Sequence, residues 1–387
     1  MEVTMSARTD SASFLLLITL LTFTAASSAQ TYKILHNFQG KDGAYPYAGL
    51  TLDPAGNIYG VASVGGKYGY GNIFEINLSL NTFSTIDYQV LDGTDPLGTL
   101  VRDNSGNLYG TAIRGGRGGL GTEFELKSGT TQILPHSLAP SLGYPATGLV
   151  MDTAGNAFGT AELGGAYNYG GIFEISADGT FSLLHSFYWP TDGYHPSALV
   201  QDASGTLYGT NIYGGSNGAG TLFSLDTSGN FRVIHAFTGG SDGYGPDSQL
   251  MIDSQGNLYG TTSGSLGSCG LIFKFDSAGV ETVLYAFNCV VGNGPNGPLV
   301  LDGQGNLYGT VLGGGVAYDS GIVFKLDREG KLTVLHSFFR NGGDGYSPYA
   351  GLVRDRSGNL YGTTYYGGTG RCGTEYTGCG VVFEIAP

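Results

Sequence analysis

One nine-residue phrase constrains the fold of this chain more than any other feature. It reads Asp-Arg-Ser-Gly-Asn-Leu-Tyr-Gly-Thr at residues 355–363 and recurs, slightly varied, six more times upstream. A period of about 50 residues is typical of repeat architectures, in which each repeat is one supersecondary unit that packs on the next. Single residues therefore have to be interpreted within the repeat. Its copies start at Asp53, Asp103, Asp152, Asp202, Asp253, Asp302 and Asp355.

Each repeat contains four short segments that are typical of β-strands. In the sixth repeat they are residues 298–302, 306–311, 321–327 and 331–338, rich in β-branched and aromatic residues and bounded by Gly, Asp, Asn or Ser. We name them strands a, b, c and d in chain order. The repeated phrase lies between a and b, where its aspartate and glycine suit a tight turn. Seven such units predict an all-β, seven-bladed β-propeller with four antiparallel strands per blade.

The two ends of the repeat region complement each other. Residues 32–38, Tyr-Lys-Ile-Leu-His-Asn-Phe, match strand d, whereas the last repeat stops at its strand c, residues 381–385. Seven complete blades therefore require the N-terminal strand d to pair with strands a to c of the last repeat. This pairing would close the ring and remove an exposed sheet edge. We predict a single propeller domain at residues 30–387.

Residues 1–29 differ in composition from the repeats. Arg8 precedes an apolar run at residues 14–23, and small residues follow, with Ser27 and Ala29 suitably placed before a cut at Gln30. The run is short for a membrane span. We predict a signal peptide at residues 1–29 and a mature protein that is secreted, periplasmic or extracellular and has no membrane span. The net charge of −14 disfavours nucleic acid as a partner, because binding to phosphates needs clustered Lys and Arg.

Several phrases that recur in a fixed order resemble a known repeat family. Gly-Asn-Leu-Tyr-Gly-Thr, Gly-Gly, Gly-Val-Phe and Thr-Val-Leu-His-Ser-Phe are similar to the GloVer tandem repeat of bacterial choice-of-anchor exported proteins, over residues 32–385. The resemblance implies export and, often, C-terminal surface sorting, but no activity and no catalytic residues. Because no sorting tail follows the last repeat, we expect secretion rather than anchoring. Kelch repeats are the alternative architecture, although they carry a regular Tyr and Trp pair and this chain has one tryptophan.

Residues that recur in every repeat are interpreted as structural. The seven aspartates could suggest calcium, but each turn offers one carboxylate where a calcium loop supplies several, so we interpret them as turn residues. Five of the six histidines share one position in strand d. Ligands of one metal ion must lie within a few ångströms of it, and these histidines lie on different blades, so packing or hydrogen bonding between blades is favoured. They are His36, His136, His185, His235 and His336.

Departures from the repeat are better candidates for function, because functional sites tend to break local consistency. In propellers the b-to-c and d-to-a loops share one face, and here those loops are rich in Tyr and Gly. Tyrosine offers a flat apolar surface with a polar tip, which suits sugar rings or a protein interface. We assign no catalytic residues, metal site or cofactor. The candidate ligand-binding residues on this face are Trp189, His195, Glu162, Arg114, Arg117, Tyr213, Arg371, Glu375 and Tyr376.

The four cysteines suit an oxidising compartment. Cys269 begins a strand c and Cys289 follows the strand d of the same repeat. A hairpin centred near Gly279 places them opposite each other, at a distance that a disulfide can span. Cys372 and Cys379 would then close the last loop. Four cysteines allow three connectivities, and the strand register favours this one.

Three functions remain open. A binding module for carbohydrate or another extracellular polymer comes first, because seven similar units let weak sites act together. A structural or protein-interaction scaffold comes second. A hydrolase or lyase with acids and His195 around the central pocket comes third, so the sequence favours a non-enzymatic role. We expect a monomer whose partners are carbohydrate or extracellular protein.

Overall fold

The computed structural model describes residues 30–89, 91–116, 118–137, 142–145, 147–264, 268–315, 320–340, 343–372 and 378–386. In these residues all regular secondary structure is β-strand, and no helix is present that could cross a membrane. Seven antiparallel sheets, each with four principal strands, follow one another along the chain as blades 1 to 7. The predicted seven-bladed all-β propeller is therefore confirmed. The predicted signal peptide lies outside the described residues.

Every blade has the same strand order, and strand a is always short. In blades 1 to 7, strand a spans Thr51–Leu52, Val101–Arg102, Val150–Met151, Val200–Gln201, Met251–Ile252, Val300–Leu301 and Val353–Arg354. Strand b spans Ile58–Ala62, Leu108–Arg114, Ala157–Ala161, Leu207–Tyr213, Leu258–Thr262, Leu307–Val311 and Leu360–Thr364.

Strands c and d of each blade are longer than its strand a. Strand c spans Asn72–Asn77, Thr122–Leu126, Gly171–Ile175, Thr221–Leu225, Leu271–Phe275, Ile322–Leu326 and Val381–Ala386. Strand d spans Thr82–Asp87, Ile133–Ser137, Phe181–Ser186, Phe231–Ala236, Glu281–Ala286, Leu332–Ser337 and, for blade 7, Thr31–Asn37. Short additional strands are Thr94–Pro96, Tyr194–Pro196, and the pair Leu142–Gly143 and Leu163–Gly164.

Blade 7 combines the two ends of the chain. Thr31–Asn37 pairs antiparallel with Val381–Ala386, so the first strand of the propeller is the outermost strand of its last blade. Blade 7 also contacts blade 1, because the buried Thr363 hydroxyl donates to the Ala48 carbonyl at 3.4 Å. The two ends of the described chain therefore meet in one sheet, that of blade 7, which contacts blade 1.

The repeated aspartate holds the turn between strands a and b. In blade 1, Asp53 Oδ1 accepts the backbone amides of Ala55 and Asn57, and Oδ2 accepts the Asn57 side-chain amide. In all seven copies, Oδ1 accepts the amide of the residue four positions later, at 2.8 or 2.9 Å. Gly56 has a φ of +89°, which glycine adopts at low cost. These carboxylates are thus engaged by their own turns.

The glycine of the phrase makes room for the core of each blade. It lies in strand b opposite a strand c phenylalanine, and a Cβ at Gly309 would lie 2.7 Å from Cζ of Phe324. Glycine in a strand commonly marks such a close approach. The seven pairs are Gly60 and Phe74, Gly110 and Phe124, Gly159 and Phe173, Gly209 and Phe223, Gly260 and Phe273, Gly309 and Phe324, and Gly362 and Phe383.

The threonine after this glycine joins neighbouring blades. Its buried hydroxyl donates to a backbone carbonyl in the segment that leads into strand a of the next blade. Blade 1 carries Val61 in the same register, so the interface between blades 1 and 2 lacks this hydroxyl. The six bonds run from Thr111 to Thr147, Thr160 to Ser197, Thr210 to Pro246, Thr261 to Pro295, Thr310 to Ala350 and Thr363 to Ala48.

Histidines of strand d pack between blades, as the sequence predicts. Each of three bonds an aspartate of the following loop at 3.0 Å and stacks on an aromatic ring of the next blade at 3.5 to 3.8 Å between centroids. His136 differs and pairs with Glu123 at 2.9 Å. The three sets are His36 with Asp42 and Phe83, His185 with Asp192 and Phe231, and His336 with Asp344 and Tyr32.

Both predicted disulfides are formed. Cys269 and Cys289 have Cα atoms 5.3 Å apart and tie the start of strand c to the end of strand d in blade 5. Cys372 and Cys379, with Cα atoms 5.1 Å apart, close the loop before strand c of blade 7. The connectivity that the strand register favours is therefore confirmed.

Replacing Thr310 by valine should lower the free energy of unfolding by about 1–3 kcal/mol, because the buried Ala350 carbonyl loses its donor. Denaturant unfolding of the mature chain measures this change. Thr333→Val, at an exposed position of strand d in the same blade, is the control and should stay within about 0.5 kcal/mol of the parent. Equal stability of the two variants would show that the hydroxyl does not hold the blades together.

Candidate functional site

A pocket of about 240 Å³ opens at the centre of the ring. Its walls come from the segments that lead into strand a, and all seven blades contribute, which places the pocket on the axis of the propeller. The b-to-c loops add Glu162. Residues that line it include Tyr47, Thr99, Gly148, Ala198, Asp247, Asn296 and Tyr349.

A repeated backbone kink shapes the rim of this pocket. The residue before a proline in the segment leading into strand a has a φ between +56° and +58° in five blades and is glycine at +65° in the other two. A left-handed φ is uncommon for residues other than glycine and is concentrated at functional sites. The kink thus presents a Tyr, Asp, His or Ser side chain from each of five blades on the same backbone frame. These residues are Tyr45, Asp95, Tyr144, His195 and Ser347.

One wall of the pocket is acidic. Glu162 follows strand b of blade 3, His195 lies in the loop before blade 4, and Asp247 lies in the loop before blade 5. His195 Nδ1 is 3.5 Å from Glu162 Oε2. Burial raises the pKa of Asp247, the charge of Glu162 raises it further and His195 opposes the increase. Since Asp247 receives no hydrogen bond from the described residues, its carboxylate is available to a ligand.

The opposite wall is aromatic. The rings of Tyr47 and Tyr349 stack with centroids 5.1 Å apart, and Tyr365 meets Tyr47 edge-on at 6.0 Å. Burial raises the pKa of Tyr47 to about 12, and the charges of Asp247 and Glu162 contribute. The aromatic wall comes from blades 1 and 7 and the acidic wall from blades 3 and 5, so the two walls lie on opposite sides of the ring axis. The Tyr47 hydroxyl keeps its proton at neutral pH and can donate to a ligand.

A second aromatic group lies on the rim between blades 3 and 4. The ring of Tyr169 is 6.3 Å from Trp189 and 5.9 Å from Tyr194. Tyr213 lies 5.4 Å from Tyr194 and meets His195 edge-on at 5.8 Å. Trp189 is 47% exposed. Four residues selected from the sequence, Trp189, His195, Tyr213 and Glu162, are thus brought together at this side of the pocket.

Two other selected residues, Arg114 and Arg371, do not join this group. Arg114 forms an ion pair with Asp95, at 3.3 Å. Arg371 is exposed in the loop before Cys372. Arg117, Glu375 and Tyr376 lie outside the described residues.

Sequence reasoning missed Asp247. Its position, six residues before the turn aspartate, holds Tyr, Leu, Ala, Pro or Asn in the other repeats, so an acid there is a departure that could have been noticed. The more conspicuous acids of these loops precede glycine, and four of them bond strand d histidines instead. They are Asp42, Asp192, Asp242 and Asp344.

Larger concavities lie on the opposite face of the ring. One of about 760 Å³ opens between blades 5 and 6, and another of about 540 Å³ opens between blades 3 and 4. Both are lined by turn residues such as Asp253, Asp302 and Asp202, whose carboxylates are engaged by their own turns. The axial pocket is the better candidate site, because the carboxylate of Asp247 there receives no hydrogen bond from the described residues.

The family model of the Gloeobacter/Verrucomicrobia repeat matches residues 19–201 and 144–376. The chain belongs to this repeat family. The resemblance seen in the recurring phrases is thereby confirmed, and this Gloeobacter/Verrucomicrobia repeat protein folds as a seven-bladed propeller. No curated protein matches it.

Solved structures share the fold of this Gloeobacter/Verrucomicrobia repeat protein. The extracellular domain of BT4673 from B. thetaiotaomicron, described as a one component system, has a TM-score of 0.61 at 14% sequence identity. The match covers 92% of this chain and 40% of the BT4673 chain. The extracellular domain of BT3049, described as a hybrid two component system of the same organism, has a TM-score of 0.60 at 13% sequence identity. The match covers 92% of this chain and 41% of the BT3049 chain.

A third solved structure is PorZ, a surface component of the type-IX secretion system of Porphyromonas gingivalis. It has a TM-score of 0.56 at 12% sequence identity, and the match covers 91% of this chain and 48% of the PorZ chain. This chain thus spans less than half the length of each of the three. At these identities the likeness concerns the fold alone.

Replacing Asp247 by asparagine should stabilise the protein at pH 7 by about 1 kcal/mol, a typical size for one substitution. A raised pKa means that the folded state holds the proton more tightly, so the ionised carboxylate costs stability at neutral pH. The gain should vanish near pH 3, below the usual pKa of about 3.9, where the carboxyl is protonated in both states. Thermal unfolding at both pH values measures the effect.

Asp192→Asn is the matched control and should act in the opposite direction. Burial alone would raise the pKa of Asp192, but hydrogen bonds from His185, Thr191 and the Tyr188 amide lower it. Its ionised form therefore stabilises the fold at pH 7, and the variant should lose stability there, with a loss that shrinks as the pH falls. A destabilising effect of both substitutions at pH 7 would contradict the assignment of Asp247.

Proposed function

We propose that this protein is an exported binding module that holds one unit of a neutral carbohydrate, or of a comparable extracellular polymer, in the axial pocket. The observation that carries the proposal is the aromatic wall of Tyr47 and Tyr349 facing the acidic wall of Glu162 and Asp247, with His195 beside Glu162. Aromatic faces suit the apolar side of a sugar ring, and a few polar groups fix the orientation of its hydroxyls.

The size of the pocket favours one ring over a chain. Its volume of about 240 Å³ lies below the range of about 300–1,000 Å³ that is typical for drug-sized ligands. A terminal unit could enter along the axis while the adjoining units lie across the rim, where Trp189 and Tyr213 are 47% and 37% exposed. The ligand would then be recognised at its end.

Charge disfavours an anionic ligand. Two carboxylates, Glu162 and Asp247, line the pocket, and the whole chain carries a formal charge of −14. An anionic polymer would be repelled by both. Uncharged hydroxyl groups, in contrast, can donate to the carboxylates.

Three observations support an extracytoplasmic location. The two disulfides suit an oxidising compartment. The signal-peptide pattern of residues 1–29 predicts export. Two of the three structural neighbours are extracellular domains and the third is a surface component, which agrees with such a location.

A glycan array probed with the mature protein should yield neutral oligosaccharides that share one terminal unit, and the free monosaccharide should compete for binding. Tyr47→Ala and Tyr349→Ala should weaken binding by at least about tenfold, or about 1.4 kcal/mol, because the stacking surface is lost. Tyr68→Ala is the control, since Tyr68 is 48% exposed and contacts Lys67 rather than the pocket. An empty array, or equal binding by the Tyr47 and Tyr68 variants, would count against the proposal.

A hydrolase or lyase is the second candidate, and the raised pKa of Asp247 beside Glu162 favours it. A carboxyl group whose pKa is raised, beside a second carboxylate, is the kind of pair that general acid catalysis of glycosidic cleavage requires. If the protein is such an enzyme, bound oligosaccharides should be cleaved, and both Asp247→Asn and Glu162→Gln should abolish cleavage while retaining binding. Chromatography that shows intact oligosaccharides after long incubation would leave the binding module as the function.

A further inference from the structure

A cluster of three potential metal ligands lies between blades 4 and 5, in their strand d region. His235 Nε2 is 3.2 Å from Asp242 Oδ2 and 3.6 Å from Glu281 Oε2, and the three ligand atoms lie within 4.8 Å of one another. Within the part of the chain that the structure describes, no other group of three His, Cys, Asp or Glu residues is placed in this way. We propose that these residues bind a divalent transition-metal ion of the Zn²⁺ type.

Glu281 is the departure from the repeat that makes the cluster. His235 and Asp242 repeat the histidine and aspartate pair of three other blades, where the next blade supplies an aromatic ring to stack on the histidine. Glu281 occupies the register of that ring, because it pairs with Phe275 as Phe231 pairs with Leu225 in blade 4. The ring of His235 instead lies tilted, 5.2 Å from Phe275. A carboxylate has replaced an aromatic contact at this interface.

The carboxylate of Glu281 is poorly satisfied by the described residues. Its Oε1 is buried without a hydrogen-bond partner, while its Oε2 faces His235. Burial raises the pKa of Glu281 to about 7, and the neighbouring charge of Asp242 contributes. A buried oxygen without a donor, close to a second carboxylate, is costly unless a cation or a proton compensates it. A bound metal ion would supply the compensating positive charge.

The two distances from His235 to the carboxylates fit a small ion. Metal-to-ligand distances of about 2.0–2.2 Å in a tetrahedral site place the ligands about 3.3–3.6 Å apart. The distances from His235 Nε2 to the two carboxylates, 3.2 and 3.6 Å, lie close to this range. One imidazole with two carboxylates suits Zn²⁺, whereas Ca²⁺ prefers six to eight oxygen ligands.

An ion can reach the site from solvent. The side chains of His235, Asp242 and Glu281 are 26%, 13% and 16% exposed, which leaves room for a water molecule as fourth ligand. The histidine and aspartate come from blade 4 and the glutamate from blade 5. A bound ion would therefore cross-link two blades at an interface that lacks the stacking contact seen at three others.

The test is a zinc titration of the untagged mature protein after its metals have been removed with EDTA. Competition against a chromogenic chelator should show one tight Zn²⁺ per chain, and Zn²⁺ should raise the melting temperature while Mg²⁺ and Ca²⁺ should not. Glu281→Gln, which keeps the shape of the side chain, should weaken Zn²⁺ binding by at least about tenfold because an anionic ligand is lost. Glu281→Phe introduces the aromatic residue that stacks on the histidine at three other interfaces and should do the same.

His185→Ala is the matched control. His185 has the same aspartate partner in Asp192, but Phe231 stands where Glu281 stands one blade later. This variant should keep the parental affinity for Zn²⁺, whereas His235→Ala should lose it. The proposal is overturned if the parent binds no tight Zn²⁺, or if its affinity is unchanged by both Glu281 substitutions, or if the His185 and His235 variants lose affinity equally.

Discussion

The hydrogen bond from a strand b threonine to the next blade connects the framework of this propeller to its candidate site. Its acceptor lies in the segment that leads into strand a, and the same segment lines the axial pocket. Thr363 bonds Ala48 beside Tyr47, Thr310 bonds Ala350 beside Tyr349, and Thr210 bonds Pro246 beside Asp247. A buried carbonyl is costly to leave unpaired. The bonds that join the blades therefore also fix the backbone of the residues that face a ligand.

Regular positions of the repeat and departures from it have different roles. The turn aspartate and the glycine under the strand c phenylalanine have the same local role in all seven blades, and the strand b threonine has the same role in six of them. The residues whose carboxylate oxygens lack hydrogen-bond partners are departures from the repeat. Asp247 has a carboxylate without a partner among the described residues, and Glu281 has a buried oxygen without a donor. Such exceptions to local consistency are where function is expected.

The fold could be predicted from the sequence because strand register and turn chemistry are local and repeat seven times. The same register was sufficient to pair Cys269 with Cys289. The site was predicted only in part, since spacing along the chain does not say which loop residues reach the axis. Asp247 was missed for this reason, and Arg114 turns instead to Asp95. The contact between Glu281 and His235 could not be predicted from the sequence, because the two side chains belong to neighbouring blades.

The pairing of Thr31–Asn37 with Val381–Ala386 has a consequence for the order of folding. The first strand of the propeller to be synthesised finds its partner only after the last one has been made, so the contact that completes the ring has nearly the largest sequence separation in the chain. Long-range pairing of this kind is slow, because the entropy of loop closure must be overcome first. Until then blades 1 to 6 can form from local hairpins, while the edge of strand c in blade 7 stays open to pairing with other chains.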